Sequence, residues 1–274
     1  AASRSIASLN PYVYPPLLAV LCIPLSFLSF PMAGWCWYAF NLALIVGLLF
    51  LLAHFLSSLP RLWALVAAAF LLASSEPVLR TLTAGQLNLL LLVLITLSLV
   101  RLEKGGEKSA GVLIGLAAAL KVFPALLILA LFWRKHYRAG AWALGATVVF
   151  TLLGALGAGM HVSLDYLALL RQMSYGSSTW SQLGQHYHID PANQSPAALI
   201  TRLLTVMPEA NLRGLAHLPD LARVLSTLTG LALLVGAFWA SSRRTGKQGD
   251  RLSWGLFLMT ALLVPSLMWD HYLA

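Results

Sequence analysis

A single lysine interrupts a long apolar run near the middle of the chain. Residues 110–133 contain no charged residue except Lys121, which immediately precedes Val-Phe-Pro. Placing an ammonium group at this depth in a bilayer costs about 2.5–3.5 kcal/mol on insertion scales. We therefore expect Lys121 to bind an anion, and the phosphate of a lipid suits this position. The alternative is a lysine that extends its amine to the head groups.

Three polar residues that precede this run are candidates for the same site. Arg80 is the nearest candidate for a second cation, because a guanidinium group can bind phosphate oxygens through two parallel hydrogen bonds. Gln86 and Asn88 form a polar corner before another apolar run, and their amides can hydrogen-bond the hydroxyls of a sugar. The alternative for both amides is capping of the helix that is predicted to start at Leu87.

Near the end of the chain, Asp270 and His271 are adjacent and lie between Trp269 and Tyr272. Tryptophan and tyrosine are common at membrane interfaces, so the aromatic residues alone carry little functional information. His271 is a candidate for binding a phosphate or accepting a proton, and Asp270 is a weak candidate for a catalytic base. The alternative is a solvated surface pair.

A region rich in histidine and other polar residues extends over residues 159–217. His186 and His188 form an H-x-H pair there, and His161 and His217 lie in the same region. Imidazole nitrogens bind metal ions, so a divalent metal site is one interpretation. Because the spacing is unspecific, we assign no metal ligands and no cofactor.

The composition indicates an integral membrane protein. Of the 274 residues, 59% are hydrophobic and 10% are charged, whereas charged residues make up about 25% of typical soluble domains. Several apolar runs approach the roughly 20 residues that a helix needs to span a bilayer. The net charge of +9 does not indicate a nucleic-acid partner, because the basic residues lie in short loops where they set orientation. We predict an all-α, polytopic transmembrane helix bundle.

The apolar runs give the predicted order of the helices. A short segment from Pro15 to Pro31, with Pro24 in its middle, is predicted to be interfacial or only partly inserted. The predicted crossings are residues 34–56, 62–79, 87–100, 142–156, 221–240 and 252–263. The pair Ser195-Pro196 is typical of a helix start, with the serine as N-cap.

The run around Lys121 is flanked on both sides by basic residues. Short loops rich in lysine and arginine face the cytoplasm, so both flanks are predicted to be cytoplasmic. The run should then enter and return as two short helices, with residues 121–124 near the far tip. The alternative is one crossing of residues 110–133. This orientation places Lys121, Gln86, Asn88, Asp270 and His271 toward one outer face, with residues 159–217 as a long extracytoplasmic loop.

Five segments of the chain resemble glycosyltransferase family 87. They are YPPLLAVL, TAGQLNLLLLVL, AGVLIGLAAALKVFPALLIL, NQSPAALITRLL and SLMWDHYLA, which occur in the family's order and cover nearly the whole chain. The family belongs to the GT-C superfamily of multi-spanning enzymes and includes polyprenyl-phosphate-mannose-dependent mannosyltransferases of actinobacterial cell envelopes. The resemblance implies transfer of a sugar from a polyprenyl phosphate to an acceptor hydroxyl at the extracytoplasmic face, usually with inversion.

The resemblance also implies roles for individual residues. Lys121 and His271 match motif positions suited to holding the departing lipid phosphate. In the superfamily the base is an acidic residue just after the first spanning helix, whereas no acid precedes Glu76 here. We therefore expect the base upstream of residue 1, with Asp270 as the substitute within the chain. Residues 1–274 would then be one partial membrane domain of a longer protein, and this fragment would be inactive.

The predicted function is a membrane hexosyltransferase of the bacterial plasma membrane. Its donor is predicted to be a polyprenyl-phosphate-linked sugar, with mannose favoured, and its acceptor a lipid or a glycan. The first alternative is a transporter or flippase for lipid-linked sugars, which would also need a lysine that binds phosphate. The second is a non-catalytic assembly subunit. The large polar outer region favours the enzyme, because a transporter needs access from both sides.

Overall fold

A computed structural model describes residues 14–56, 58–172, 175, 186, 188–208 and 211–265. The described chain is mostly helical and divides into two compact units. Of the described residues, the first unit contains 17–157, and the second contains 14–16 and those from 158 to 265. Three helices in the described part are long and apolar enough to cross a membrane. The prediction of an all-α membrane helix bundle is confirmed.

The first unit begins with short and long apolar helices. Helix α1 spans Pro16–Cys22 and continues as a 3₁₀ helix, Ile23–Phe27. Helix α2 spans Phe30–Phe55, and α3 spans Arg61–Ala73. Helix α4 spans Glu76–Thr83, and α5 spans Asn88–Glu103. Leu48, Leu72, Val78 and Leu89 join α2, α3, α4 and α5 in one buried cluster, so close packing of apolar side chains holds these helices together.

The predicted crossing of residues 62–79 is not one straight helix. Helix α3 ends at Ala73, and α4 begins at Glu76 after a bend of 61°. Pro77 lies in the first turn of α4, where its missing N–H costs nothing, whereas further inside a continuous helix it would remove a hydrogen bond. The two helices are therefore one broken span or a re-entrant loop.

The run around Lys121 forms two short helices. Helix α6 spans Glu107–Leu120, and α7 spans Ala125–Trp133. At about 1.5 Å per residue these helices are about 21 and 14 Å long, and both are shorter than the roughly 30 Å hydrocarbon core. His136 Nδ1, just past α7, lies 3.4 Å from Glu107 Oε1 at the start of α6, so the chain returns to where it began. The predicted hairpin is confirmed, and its position in a membrane remains a prediction.

Helix α8, Tyr137–Ala158, packs closely against α6. A Cβ atom on Gly111 would overlap the carbonyl oxygen of Ala139, and one on Gly115 would overlap that of Ala143. Thr147 Oγ1 donates a hydrogen bond to the carbonyl oxygen of Gly115 at 3.3 Å. The glycines thus let two backbones approach, as is common between membrane helices.

The second unit contains most of the region predicted as an outer loop. Helix α9 spans Met160–Gln172, α10 spans Pro196–Leu204, and Val206–Met207 (β1) pairs antiparallel with Leu212–Arg213 (β2). The described part of residues 159–217 therefore contains helices and a short strand pair, and the exposure of this region to one side of a membrane stays a prediction. The two remaining helices are α11, Pro219–Ser242, and α12, Gly246–Leu263.

The predicted start of α10 is confirmed in detail. Ser195 Oγ accepts a hydrogen bond from the backbone N–H of Ala198 at 3.1 Å, and Pro196 occupies the first turn. This bond satisfies one of the backbone donors that every helix start leaves unpaired. This cap fixes the residue at which the irregular segment after the histidine pair ends and α10 begins.

Candidate functional site

The tip of the α6–α7 hairpin carries the buried lysine. Lys121 is the C-cap residue of α6, and the residue is only 9% exposed. The last carbonyl groups of a helix carry a partial negative charge, which favours a cation at this position. Lys121 Nζ also lies 5.9 Å from the centre of the Phe123 ring, within the range of a cation–π contact. Both features favour a cation at this position.

An amide from a neighbouring helix orients this amine. Lys121 Nζ donates a hydrogen bond to Asn88 Oδ1 at 3.0 Å. Asn88 Nδ2 points in the other direction, 3.4 Å from Thr81 Oγ1 on α4. All three residues are buried, so this chain of polar groups joins α4, α5 and the hairpin tip. We call Thr81, Asn88 and Lys121 the lysine relay.

The structure bears on one interpretation of Asn88, the helix cap. Helix α5 has Leu87 as its N-cap residue, and no side chain makes a capping hydrogen bond there. Asn88 instead contacts Lys121, and its predicted hydrogen bonds to a sugar stay a prediction. Gln86 lies two residues earlier in the polar corner and is half-buried, with its backbone N–H donating to the carbonyl oxygen of Thr81 at 2.9 Å.

A tryptophan from α2 holds this corner in place. Trp37 Nε1 donates a hydrogen bond to the carbonyl oxygen of Gly85 at 3.0 Å. Gly85 has φ of +63°, a left-handed conformation that glycine adopts without steric cost. The sequence does not indicate Trp37 or Thr81 as site residues. The Trp37–Gly85 contact spans 48 residues and the Asn88–Thr81 contact spans seven, and no local pattern marks either of them.

The remaining predicted site residues are not all gathered here. Arg80 Nε donates to Glu76 Oε1 at 2.9 Å within α4, and its side chain is 52% exposed. Arg80 thus lies next to Thr81 in sequence but makes its ion pair on the surface. Asp270 and His271 lie outside the described residues, so their predicted roles remain predictions.

The opposite end of the first unit is basic. His54 Nε2 at the end of α2 lies 3.4 Å from Glu103 Oε2 at the end of α5. The His136–Glu107 pair places the start of α6 and the end of α7 at this end as well. Six cations therefore share an end of the unit that is distant along α6 from the lysine relay: Arg101, Lys104, Lys108, Arg134, Lys135 and Arg138.

In the second unit the histidine pair is packed ring against ring. The ring centres of His186 and His188 are 6.1 Å apart with the rings nearly perpendicular. Burial lowers the pKa of His188, and the neighbouring His186 lowers this pKa further. Within the described ranges, no three His, Cys, Asp or Glu residues gather as metal ligands. His217 serves another purpose, because its Nδ1 accepts from the backbone N–H of Val206 at 3.2 Å.

Comparisons with known proteins agree with the sequence resemblance. The family model of Glycosyltransferase family 87 matches residues 12–269. A polyprenol-phosphate-mannose-dependent alpha-(1-2)-phosphatidylinositol mannoside mannosyltransferase of Mycobacterium tuberculosis is 30% identical over 157 residues, 53% of this chain and 36% of its own length. The protein of that name from Mycolicibacterium smegmatis is 25% identical over 286 aligned positions, 96% of this chain and 59% of its own length. No solved structure matches significantly.

Proposed function

Because this chain belongs to glycosyltransferase family 87, we propose that the protein is a membrane hexosyltransferase that takes mannose from a polyprenol phosphate. The names of the mycobacterial relatives give this donor and a phosphatidylinositol mannoside acceptor. The chain spans 36% and 59% of the length of these relatives, so the activity, donor and acceptor are all part of the proposal.

The buried, oriented amine of Lys121 is the observation that carries this proposal. In the transfer, an acceptor oxygen attacks the anomeric carbon, and the bond from that carbon to the phosphate oxygen breaks. The lipid phosphate leaves with the bonding electrons, so negative charge grows on its oxygens. A preorganised ammonium group stabilises such charge more in a low-dielectric site than in water. Asn88, being neutral, can orient Lys121 without neutralising it.

The helix ends around Lys121 support an anion as its ligand. Helix α5 starts at Asn88, which hydrogen-bonds the amine of Lys121. Helix α7 starts at Ala125, four residues after Lys121 in the sequence. The N-terminal end of a helix carries a partial positive charge and favours phosphate groups. The acceptor proton needs a base, for which Asp270 is the candidate within the chain, outside the described residues.

We place the reaction at the extracytoplasmic face. The six cations at the basic end of the first unit favour the cytoplasm under the positive-inside rule. The lysine relay, at the other end of α6, would then open toward the outer half of the bilayer. With α6 about 21 Å long, the amine of Lys121 would lie some way below the outer surface, at a depth suited to the phosphate of a lipid-linked donor.

Lys121→Met in the full-length protein tests the proposal. Methionine keeps much of the apolar length of the side chain and removes only the charge. We expect mannose transfer in detergent from a short-chain polyprenyl-phosphate mannose to fall by about 10²–10³-fold, as for loss of one group that stabilises transition-state charge. Lys104→Met, in the exposed turn at the basic end, is the control and should retain activity.

Two outcomes would contradict the proposal. Near-normal turnover by a folded Lys121→Met variant would show that this amine does not hold the donor phosphate. No transfer by the unaltered full-length protein in detergent would favour a flippase or an assembly subunit, because detergent solution has no second compartment to transport into.

A further inference from the structure

Three exposed cations gather where α6 and α8 begin. Lys108 and Arg138 lie in the first turns of α6 and α8, and Lys135 lies in the turn just before α8. Glu107 Oε1 and His136 Nδ1, 3.4 Å apart, hold the two helix starts side by side. The three cations therefore share one edge of the first unit. We call Lys108, Lys135 and Arg138 the basic rim.

Exposed aromatic side chains accompany the basic rim. Lys108 Nζ lies 4.5 Å from the centre of the Trp142 ring, within the range of a cation–π contact. Trp142 is exposed, and so is Tyr137, which precedes Arg138 in the sequence. Exposed tryptophan and tyrosine are enriched at the level of the lipid head groups. The basic rim therefore suits the depth at which a phospholipid carries its phosphate.

The backbone at Lys135 indicates that turn geometry alone does not explain this lysine. Lys135 has φ of +63°, a left-handed conformation that is strained for any residue with a Cβ atom and free of strain for glycine. Gly105 occupies the equivalent position, the second residue after α5, with φ of +76°. In both turns the next backbone N–H donates to the carbonyl oxygen five residues earlier, at 2.9 and 2.8 Å. Glycine would therefore suit the turn better than the lysine that is present.

No carboxylate among the described residues forms an ion pair with the basic rim. The described ion pairs involve other residues, and Glu107, the acid next to Lys108, faces His136. Setting the orientation of the chain needs only cations in the appropriate loops. It does not need them on one edge, beside exposed aromatic rings, with a lysine in a strained conformation. The charge of the basic rim is thus available to an anion from outside the chain.

We propose that the basic rim binds the phosphodiester group of an anionic phospholipid. Ammonium and guanidinium groups donate charge-assisted hydrogen bonds to phosphate oxygens. From Tyr137, an exposed apolar stripe continues along α8 through Leu144 and Val148, at the spacing of one helix face. The acyl chains would lie along this stripe, which favours a lipid over a free phosphate ion.

This inference goes beyond the proposed function and does not depend on it. Lys108 and Lys121 are separated by almost the whole of α6, about 20 Å at 1.5 Å per residue. The lipid bound at the basic rim is therefore not the lipid whose phosphate would contact Lys121. All the residues involved belong to the first unit.

The test measures binding of radiolabelled phosphatidylglycerol to the full-length protein in a neutral detergent. Unlabelled phosphatidylglycerol should displace the label, whereas phosphatidylcholine, whose head group has no net charge, should displace it poorly. Inorganic phosphate at the same concentration should also displace it poorly, because it has no acyl chains to contact α8. The Kd should rise as the salt concentration is raised, because salt screens exposed charges.

Lys135→Gly separates binding from structure. Glycine adopts the left-handed conformation without strain, so the melting temperature should be unchanged or raised. The Kd for phosphatidylglycerol should rise by about fivefold, as for loss of one cation near an anionic lipid. Lys135→Arg keeps the charge and should keep the Kd within about twofold. A lysine with only a structural role would not produce this combination.

The other two cations give independent measurements, with a matched control. Lys108→Gln and Arg138→Gln should each raise the Kd by about fivefold. Arg213→Gln removes an exposed cation of the second unit and should leave the Kd unchanged.

An unchanged Kd in folded Lys108→Gln, Lys135→Gly and Arg138→Gln would overturn the inference. The same increase in Arg213→Gln would overturn it as well, because the attraction would then reflect net charge rather than the basic rim. Equal displacement by phosphatidylcholine would refute selection of an anionic head group, and equal displacement by inorganic phosphate would refute a lipid as the ligand.

Discussion

Replacing Asn88 by leucine tests whether this amide holds the amine of Lys121. The Lys121 Nζ to Asn88 Oδ1 hydrogen bond is 3.0 Å long, and both side chains are buried. A hydrogen bond to a charged group contributes about 1.5–3 kcal/mol to stability. Leucine has a comparable shape but accepts no hydrogen bond. Leucine also removes the hydrogen bond to Thr81, which contributes about 0.5–1.5 kcal/mol, so Asn88→Leu should lower the free energy of unfolding by about 2–4.5 kcal/mol.

A double-mutant cycle with Lys121→Met isolates the contribution of this bond. Each single variant removes the same interaction, so the double variant should be less destabilised than the sum of the two. We expect a coupling free energy of about 1.5–3 kcal/mol. The measurement is the free energy of unfolding of the full-length protein in detergent, by reversible denaturant titration of all four proteins.

Asn41 provides the matched control for this cycle. It is also a buried asparagine of the first unit, but its Nδ2 donates to the carbonyl oxygen of Trp37 within its own helix at 2.9 Å. Asn41→Leu and Lys121→Met should add to within about 0.5 kcal/mol. A coupling below about 0.5 kcal/mol for Asn88 and Lys121, with both single variants folded, would refute the lysine relay.

Three other predictions concern packing, titration and orientation. Gly115→Ala should lower the free energy of unfolding by about 1–3 kcal/mol, because its Cβ would overlap the carbonyl oxygen of Ala143. Gly145→Ala is the control and should be neutral or stabilising, because its Cβ would have no neighbour within 4 Å. Equal shifts of the melting temperature in the two variants would contradict the close packing of α6 against α8. The folded protein keeps the pKa of His188 below its ordinary value, so the unfolded state binds more protons. The free energy of unfolding should therefore fall as the pH drops below about 6.5. The same pH dependence in His188→Phe and in the unaltered protein would disprove this. Lys104→Cys, in a chain whose two natural cysteines are replaced by alanine, should react with an impermeant thiol reagent only from the cytoplasmic side, and labelling from outside would invert the orientation.

The hairpin could be predicted from the sequence because two independent patterns agree there. The basic residues on both flanks require the chain to return, and Pro124 interrupts the helix that would otherwise continue. The bend between α3 and α4 was not predicted, because residues 62–79 were interpreted as one crossing. Ser74, Ser75 and Glu76 are compatible both with the end of a crossing and with a break inside one, and only tertiary packing distinguishes these.

The site was predicted less completely than the fold. Lys121 is conspicuous because a charge among apolar residues is costly, and Asn88 was recognised as a candidate for the same site. Local sequence also favours Asn88 as a helix cap. Its partner Lys121 is 33 residues away in the sequence, so the sequence does not show this contact. Thr81 and Trp37 carry no such signal, since threonine and tryptophan are ordinary residues of membrane helices. Helix α9 was interpreted as part of a loop because residues 159–217 are rich in polar side chains.

The close seam between α6 and α8 has a consequence for biosynthesis. Helices α6 and α7 are each too short to be retained in the bilayer as a spanning segment while the chain leaves the ribosome. Gly111 and Gly115 gain their close backbone contacts only when α8 is present. We therefore expect the hairpin to settle after α8 has been synthesised, so that the amine of Lys121 is among the last groups in this unit to reach its final position.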